Sequence, residues 1–170
     1  MMIYHSEGNV LHSFKSVRGD SFMDGFRQVT PINVRFRDLD MFGHVNNTVI
    51  LTYVETARVQ YLVNLDIRPK QANWQDVAFI LAHISCDFRK PIFYGQRVEV
   101  GSRVSKIGRA SLRMVHRVEA DGELAAEVLD VLVHYDYPAA RSIPVSAEMR
   151  TKISAFEQID FAVENDVAVT

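Results

Sequence analysis

Residues 32–65 read INVRFRDLDMFGHVNNTVILTYVETARVQYLVNL, and the hydrophobic period changes along this segment. The first residues alternate, because Ile32, Val34 and Phe36 are separated by single polar side chains. A period of two is typical of a strand with one buried face. The sequence therefore predicts a strand that ends at the Arg-Asp-Leu-Asp stretch, residues 37–40.

The second half of the segment predicts a helix that is capped by Asn46 or Asn47 and runs to about Leu65. Either asparagine suits the N-cap, since its side-chain oxygen accepts a free backbone N–H. At 100° per residue, apolar side chains cover most of the helix surface. Only a narrow polar stripe remains, made of Thr48, Thr52, Glu55, Thr56 and Gln60. We therefore expect other parts of the chain to wrap most of this helix.

The rest of the chain reads mainly as strands, with one closing helix near 147–158 that Ser146 can cap. Asp121-Gly122 between two alternating segments is a strong signal for a two-residue hairpin, which favours an antiparallel sheet. The predicted strands are 77–88, 95–107, 109–120 and 123–136. This order predicts an α+β fold in which a curved antiparallel sheet wraps around one long central helix.

Composition and charge exclude several classes of protein. A formal net charge of -2 provides no global field to attract nucleic acid. Cys86 is the only cysteine, which excludes an internal disulfide and a multi-cysteine zinc site. No apolar stretch approaches the roughly 20 residues of a membrane span, and the N-terminus lacks the features of a secretory signal. We therefore expect a cytoplasmic protein without membrane or nucleic-acid partners.

The length of 170 residues fits one domain that can bury a substantial core. We expect this domain to span residues 28–158. Residues 1–27 are polar and punctuated by glycine, and they form an N-terminal extension of unclear role in this interpretation. Residues 159–170 form a C-terminal tail.

The stretch FRDLDMFGHVNN at 36–47, followed by Tyr53, Glu55, Ala57 and Arg58, resembles the signature of hotdog-fold acyl-CoA thioesterases of the 4-hydroxybenzoyl-CoA thioesterase type. Further matches are FRKP at 88–91, YGQ at 94–96 and KIGRAS at 106–111. Together the resemblance covers about residues 30–155. It implies a hotdog fold, a homodimer that joins two sheets or a homotetramer, and active sites at the dimer interface.

The resemblance also implies that Asp40 acts as nucleophile or general base on a thioester, while backbone N–H groups near Asn47 polarise the carbonyl. The chemistry of these residues agrees. An aspartate is an anion at neutral pH unless burial prevents it, so it can attack a carbonyl or activate water. A helix N-terminus offers unpaired N–H donors and partial positive charge where an oxyanion would form. This chemistry requires no metal and no cofactor.

Other residues of the signature have supporting roles in this interpretation. Gly43 allows backbone and substrate to approach closely, and His44 orients the loop or the substrate. Val45, Asn46 and Tyr53 are the remaining substrate-binding candidates. Coenzyme A carries phosphates, so its site requires local positive charge, for which the candidates are Arg89, Lys90, Lys106, Arg109 and Arg141.

Several of these assignments have alternatives. Asp40 could simply end a strand and cap a turn, and Asp38 reads as structural. Glu55 could be the catalytic carboxylate instead, although a structural pair with Arg58 is the preferred interpretation. A lone His44 with two aspartates is a poor metal-binding set.

The leading function is hydrolysis of an acyl-CoA to a carboxylic acid and free coenzyme A. The alternative is a non-catalytic module on the same fold that binds acyl-CoA or acyl-carrier protein, because fold alone does not decide function. A hotdog dehydratase is disfavoured, since His44 precedes the helix. Ile50 replaces the tyrosine that is usual in the family, which suggests a more apolar acyl pocket. The acyl chain length is not specified by these features.

Overall fold

The computed structural model describes residues 23–67 and 79–161 of the chain. Two helices and six strands make up this part. The helices are α1 (Asn47–Asn64) and α2 (Ala147–Glu157). The strands are β1 (Gln28–Ile32), β2 (Phe79–Phe88), β3 (Val98–Ile107), β4 (Ser111–Ala120), β5 (Glu123–Asp136) and β6 (Arg141–Ser142).

All strand pairs are antiparallel, in the order β1-β3-β4-β5-β2, and the short β6 pairs with β5. The predicted α+β class and antiparallel sheet are therefore confirmed. The hairpin between β4 and β5 turns at Asp121 and Gly122, whose φ angles of 54° and 82° are both left-handed. That conformation matches the twist of the flanking strands and explains why Asp-Gly is favoured there. Trp74 and the first two residues of predicted strand 77–88 lie outside the described residues.

The predicted first strand is wrong in position. β1 ends at Ile32, and residues 36–38 form a 3₁₀ turn in which Phe36 is 78% exposed. The backbone N–H of Arg35 donates to the Asp38 carboxylate at 2.9 Å, and the Asp38 N–H donates to the Arg35 carbonyl at 2.9 Å. These local bonds offer the backbone an alternative to a strand ladder. The alternation of Ile32, Val34 and Phe36 is therefore not a strand pattern.

The apolar face of helix α1 packs against the sheet, and the side chains of the predicted polar stripe are exposed. The buried residues form two separate apolar clusters. The first cluster surrounds the N-terminal half of α1 and includes Ile50, Val54 and Ala57. The second surrounds its C-terminal half and includes Tyr61 and Leu62, together with Ile153 of α2.

A row of buried polar side chains lies beneath α1. Arg58 donates to the Asp130 carboxylate at 2.7 Å, and His116 Nε2 lies 3.0 Å from the same oxygen. His116 Nδ1 lies 2.8 Å from the Ser102 hydroxyl. The expected pairing of Arg58 with Glu55 is only marginal, at 3.9 Å, and Glu55 is 63% exposed. The main partner of Arg58 is therefore an aspartate on β5, far away in sequence.

A second buried carboxylate fixes the other end of α1. Glu157 of α2 accepts hydrogen bonds from the Tyr61 hydroxyl at 2.5 Å and from the backbone N–H of Val104 at 3.0 Å. The β3 to β4 pairing is irregular between Val104 and Lys106. The Glu157 carboxylate thus joins α1, α2 and β3, and this contact is remote in sequence from the Asp40 loop.

Candidate active site

Asp40 lies at the start of a tight loop that leads into α1. Its backbone N–H donates to the His44 carbonyl at 2.8 Å, and its carbonyl accepts from the Gly43 N–H at 3.1 Å. A bridge between Leu39 and Val45 closes the loop. Carboxylate oxygen Oδ1 accepts from the Phe42 N–H at 2.8 Å. The side chain thus caps a turn, which is the alternative role that the sequence allowed for Asp40. It nevertheless remains 21% exposed.

The second carboxylate oxygen of Asp40 faces His44. Oδ2 lies 3.3 Å from His44 Nδ1, and the histidine side chain is 32% exposed. The imidazole also stacks on the Phe42 ring, at 6.1 Å between centroids. Gly43 has a φ of +81°, in the left-handed region, so the loop requires the freedom of glycine at this position. The loop therefore presents a carboxylate and an imidazole side by side.

The loop ends at the N-terminus of α1. Asn46 is the N-cap, and its side-chain oxygen accepts from the Thr48 N–H at 2.8 Å and from the Thr48 hydroxyl at 2.7 Å. Its carbonyl accepts from Val49 and Ile50. No residue within the described ranges accepts a hydrogen bond from the N–H of Asn47. That donor, at the positive end of an 18-residue helix, is available to an oxyanion.

Val45 and Tyr53, both predicted to contact substrate, are buried. Val45 is 1% exposed and packs in the first apolar cluster, while its N–H donates to the Ile92 carbonyl at 2.7 Å. Tyr53 is 6% exposed, and its hydroxyl donates to Asp38 at 2.7 Å. Burial and the bond to Asp38 raise the pKa of Tyr53 well above its usual value. In the single chain, the side chains of Val45 and Tyr53 therefore pack beneath the Asp40 loop and are not presented to solvent.

Comparison with known proteins identifies the family of this chain. The family model described as the thioesterase-like superfamily matches residues 34–153. The chain belongs to this superfamily. The membership confirms the resemblance seen in residues 36–47 and the enzyme class that it implies, a thioester hydrolase.

Individual relatives of this thioesterase-like chain carry related names. The long-chain acyl-CoA thioesterase FadM of Escherichia coli is 28% identical over 129 residues, which cover 73% of this chain and 95% of the relative. The chloroplastic acyl-acyl carrier protein thioesterase ATL3 of Arabidopsis thaliana is 25% identical, over 89% of this chain and 80% of its own length. A thioesterase of Thermus thermophilus, solved with coenzyme A and Zn, is 41% identical, with a TM-score of 0.72 and coverage of 79% and 97%.

The cations predicted to bind coenzyme A lie at opposite ends of the thioesterase-like sheet. Arg89 and Lys90 follow β2, at the end where the β4 to β5 hairpin turns. They line a groove of about 400 Å³ together with Arg117, Gly122, Glu123 and Leu124. Lys106 and Arg109 lie at the turn between β3 and β4, which nine residues of strand place about 30 Å from Arg89 and Lys90. Arg141 lies at this same end, because it pairs with Asp136 at the end of β5. One chain therefore does not bring all five cations to Asp40.

Arg89 and Lys90 already have acidic neighbours. Arg89 lies 3.0 Å from Glu127 and 3.5 Å from Asp87, and Lys90 lies 2.6 Å from Glu123. All these side chains are about half exposed or more, so the ion pairs contribute little to the free energy of folding. Breaking them to bind a phosphate would therefore cost little.

An exposed apolar patch surrounds the Asp40 loop. Met41 is 90% exposed, Phe42 75% and Tyr94 61%, and the rings of Phe36 and Tyr94 meet edge to face at 6.2 Å. A patch of this kind usually marks an interface. In the sequence these residues are noticed only as parts of the signature, although two adjacent apolar residues directly after the candidate Asp40 are themselves a signal.

The buried row beneath α1 is also absent from the sequence-based expectations. Ser102, His116 and Asp130 form a chain of contacts like that of a Ser-His-Asp hydrolase, but Ser102 is fully buried and Arg58 already neutralises Asp130. The row is therefore structural. His116 lies an even number of residues from Leu112 and Met114, and Asp130 lies two residues from Leu132. Residues at such spacing point to the same face of a strand, so the sequence could have predicted that both polar side chains face the core.

The described part of the chain has neither a metal-binding cluster nor a membrane-spanning helix. Among residues 23–67 and 79–161, no three or more His, Cys, Asp and Glu side chains are grouped so that they could hold a metal ion. Within the same ranges, no helix has the length and apolar character needed to cross a membrane.

Proposed function

We propose that the chain hydrolyses the thioester of an acyl-CoA, with Asp40 as nucleophile or general base. One observation carries the proposal: a partly exposed carboxylate flanks one short closed loop together with the helix N-terminal N–H of Asn47, which has no acceptor in the described part of the chain. This arrangement supplies an attacking group and an oxyanion donor together, which are the two requirements of acyl transfer.

In the nucleophilic route, a carboxylate oxygen of Asp40 attacks the thioester carbon, and the Asn47 N–H stabilises the oxyanion. The C–S bond then breaks and coenzyme A leaves as a thiolate, which takes a proton from solvent. Water hydrolyses the acyl anhydride that remains on Asp40. In the general-base route, Asp40 instead takes a proton from the water that attacks the same carbon. His44, 3.3 Å from Asp40, orients the carboxylate in either route.

We also propose that the sheet wraps α1 as a central helix and that two copies complete the site. Asp40 lines neither the groove at Arg89 and Lys90 nor the groove between residues 31–38 and α1. The missing walls require another surface. The exposed patch at Met41, Phe42 and Tyr94 is suited to a second copy.

The edge of β2 supplies a way to form this dimer. β2 has ten residues, pairs with β5 on one side and ends the strand order, and no strand among residues 23–67 and 79–161 pairs with its other side, which suits it to a second strand. We expect sedimentation equilibrium to give a mass of at least twice the chain mass of 19.4 kDa at concentrations where the protein is active. A fully active species of 19.4 kDa would refute the shared site.

For coenzyme A, we expect Arg89 and Lys90 to bind phosphate. Reversing both charges, Arg89→Glu with Lys90→Glu, should raise KM for an acyl-CoA about tenfold while changing kcat little, since phosphate contacts are made equally in ground and transition states. An acyl-pantetheine, which lacks the nucleotide, serves as control substrate and should show no such rise. Equal effects on both substrates contradict the assignment.

The same measurement decides the role of the distant pair. If Lys106→Glu with Arg109→Glu raises KM for the acyl-CoA and the Arg89 and Lys90 variant does not, then coenzyme A is held at the other end of the sheet. The role proposed here for Arg89 and Lys90 then fails.

The function itself is tested with a panel of short, long and aromatic acyl-CoAs in a thiol-release assay with DTNB. We expect turnover of at least one class. Saturable binding of acyl-CoA or acyl-carrier protein without turnover of any member would replace hydrolysis with the binding-module alternative.

A further inference from the structure

Asp38 connects three parts of the chain that surround the Asp40 loop. One carboxylate oxygen, Oδ2, accepts from the Arg35 N–H at 2.9 Å and from the Tyr53 hydroxyl at 2.7 Å. The Asp38 carbonyl accepts from the Asn46 N–H at 2.9 Å. One residue therefore connects the segment after β1, the N-cap of α1 and the middle of α1 to each other.

This position is directly adjacent to the proposed chemistry. Asp38 lies two residues before Asp40, and its carbonyl binds the residue that precedes Asn47. The carboxylate and the oxyanion donor thus share one support. Asp38 and Tyr53 are 8% and 6% exposed, so neither is presented to a substrate.

We propose that Tyr53 and Asp38 are positioning residues, which hold the Asp40 carboxylate in register with the Asn47 N–H at the start of α1. The inference rests on the proposed function and assigns Tyr53 a role different from substrate binding. Tyr53 contributes through its hydroxyl, because the bond to Asp38 anchors the loop to a helix that is itself fixed on the sheet by Arg58.

The electrostatics favour a lasting bond. Burial alone would raise the pKa of Asp38, but the Arg35 N–H, the Tyr53 hydroxyl and the guanidinium groups of Arg35 and Arg37 outweigh it, and the pKa is lowered. Asp38 therefore remains an ionised acceptor at neutral pH, and a charged acceptor makes the stronger hydrogen bond.

The test compares two tyrosines of the same helix. Tyr53→Phe removes the bond to Asp38, and Tyr61→Phe removes a bond to Glu157 that is also buried, at the other end of α1. Both variants should lower Tm by comparable amounts. Only Tyr53→Phe should lower kcat, by roughly 10- to 100-fold with KM nearly unchanged, because a small misplacement of a reacting group is this costly. Equal kcat values in the two variants would overturn the proposal.

A second pair of variants separates geometry from charge. Asp38→Asn retains an oxygen that can accept from Tyr53 and Arg35, whereas Asp38→Ala retains none. We expect the asparagine variant to preserve kcat within about fivefold and the alanine variant to lose it as Tyr53→Phe does. If asparagine is as damaging as alanine, the carboxylate acts through its charge, and positioning is wrong. Lack of turnover in the unmodified protein would instead refute the proposed function.

Discussion

Asp40→Asn is expected to reduce the rate of thiol release from acyl-CoA by about 10³-fold or more, because the amide neither attacks a thioester nor takes a proton from water. The substitution is nearly isosteric. An asparagine oxygen can still accept from the Phe42 N–H, as Asp40 Oδ1 does at 2.8 Å, so the turn should persist. Acyl-CoA binding, measured by calorimetry, should therefore remain close to that of the unmodified protein.

Asp136→Asn is the matched control. Asp136 also closes a turn, through a bond from the Ala139 N–H at 2.9 Å, but it ends β5 on the side of the sheet away from the β4 to β5 hairpin. This variant should keep full activity. If Asp40→Asn behaves in the same way, Asp40 is only a turn residue and the proposed mechanism is wrong.

Arg58→Met is expected to lower the free energy of unfolding by about 3–5 kcal/mol, because it leaves the fully buried Asp130 carboxylate without its cation. Oxygen Oδ1 of Asp130 is already buried without a hydrogen-bond partner among the described residues, so the site has no spare donor. Urea denaturation followed by circular dichroism measures the change.

Two variants calibrate this result. Adding Asp130→Asn to Arg58→Met removes the stranded charge and should restore more than half of the loss, since His116 can still donate to the amide oxygen. Arg89→Met breaks only exposed pairs with Asp87 and Glu127 and should cost less than about 1 kcal/mol. Similar losses for Arg58→Met and Arg89→Met would show that the buried row contributes no special stability.

Local sequence signals predicted most of the fold. The α1 helix at Asn47–Asn64, its asparagine cap and the Asp121-Gly122 hairpin depend on contacts within a few residues, so they can be predicted from the sequence. The first strand was misplaced because the Asp38 carboxylate accepts a hydrogen bond from the Arg35 N–H, which competes with pairing in a strand. The alternation of hydrophobic residues does not by itself predict that hydrogen bond.

The site was predicted less completely, for a related reason. The Asp40 loop and the helix start are contiguous in sequence, so the signature identifies them together. Arg58 was paired with Glu55 because the two lie one helical turn apart, whereas its partner Asp130 is 72 residues away. The separation of Lys106 and Arg109 from Arg89 and Lys90 likewise depends on strand register, which becomes known only when the sheet is assembled.

The polar row beneath α1 divides the interior into two compartments that can be redesigned separately. Substitutions around Ile153 and Leu112 change the packing of the second apolar cluster, which is remote from Asp40. We expect the ionic contact between Arg58 and Asp130 to limit how far such changes displace side chains of the first cluster. A search for heat-resistant variants should begin in the second cluster. Changes around Ile50, in the other compartment, are the ones expected to exchange stability for altered acyl preference.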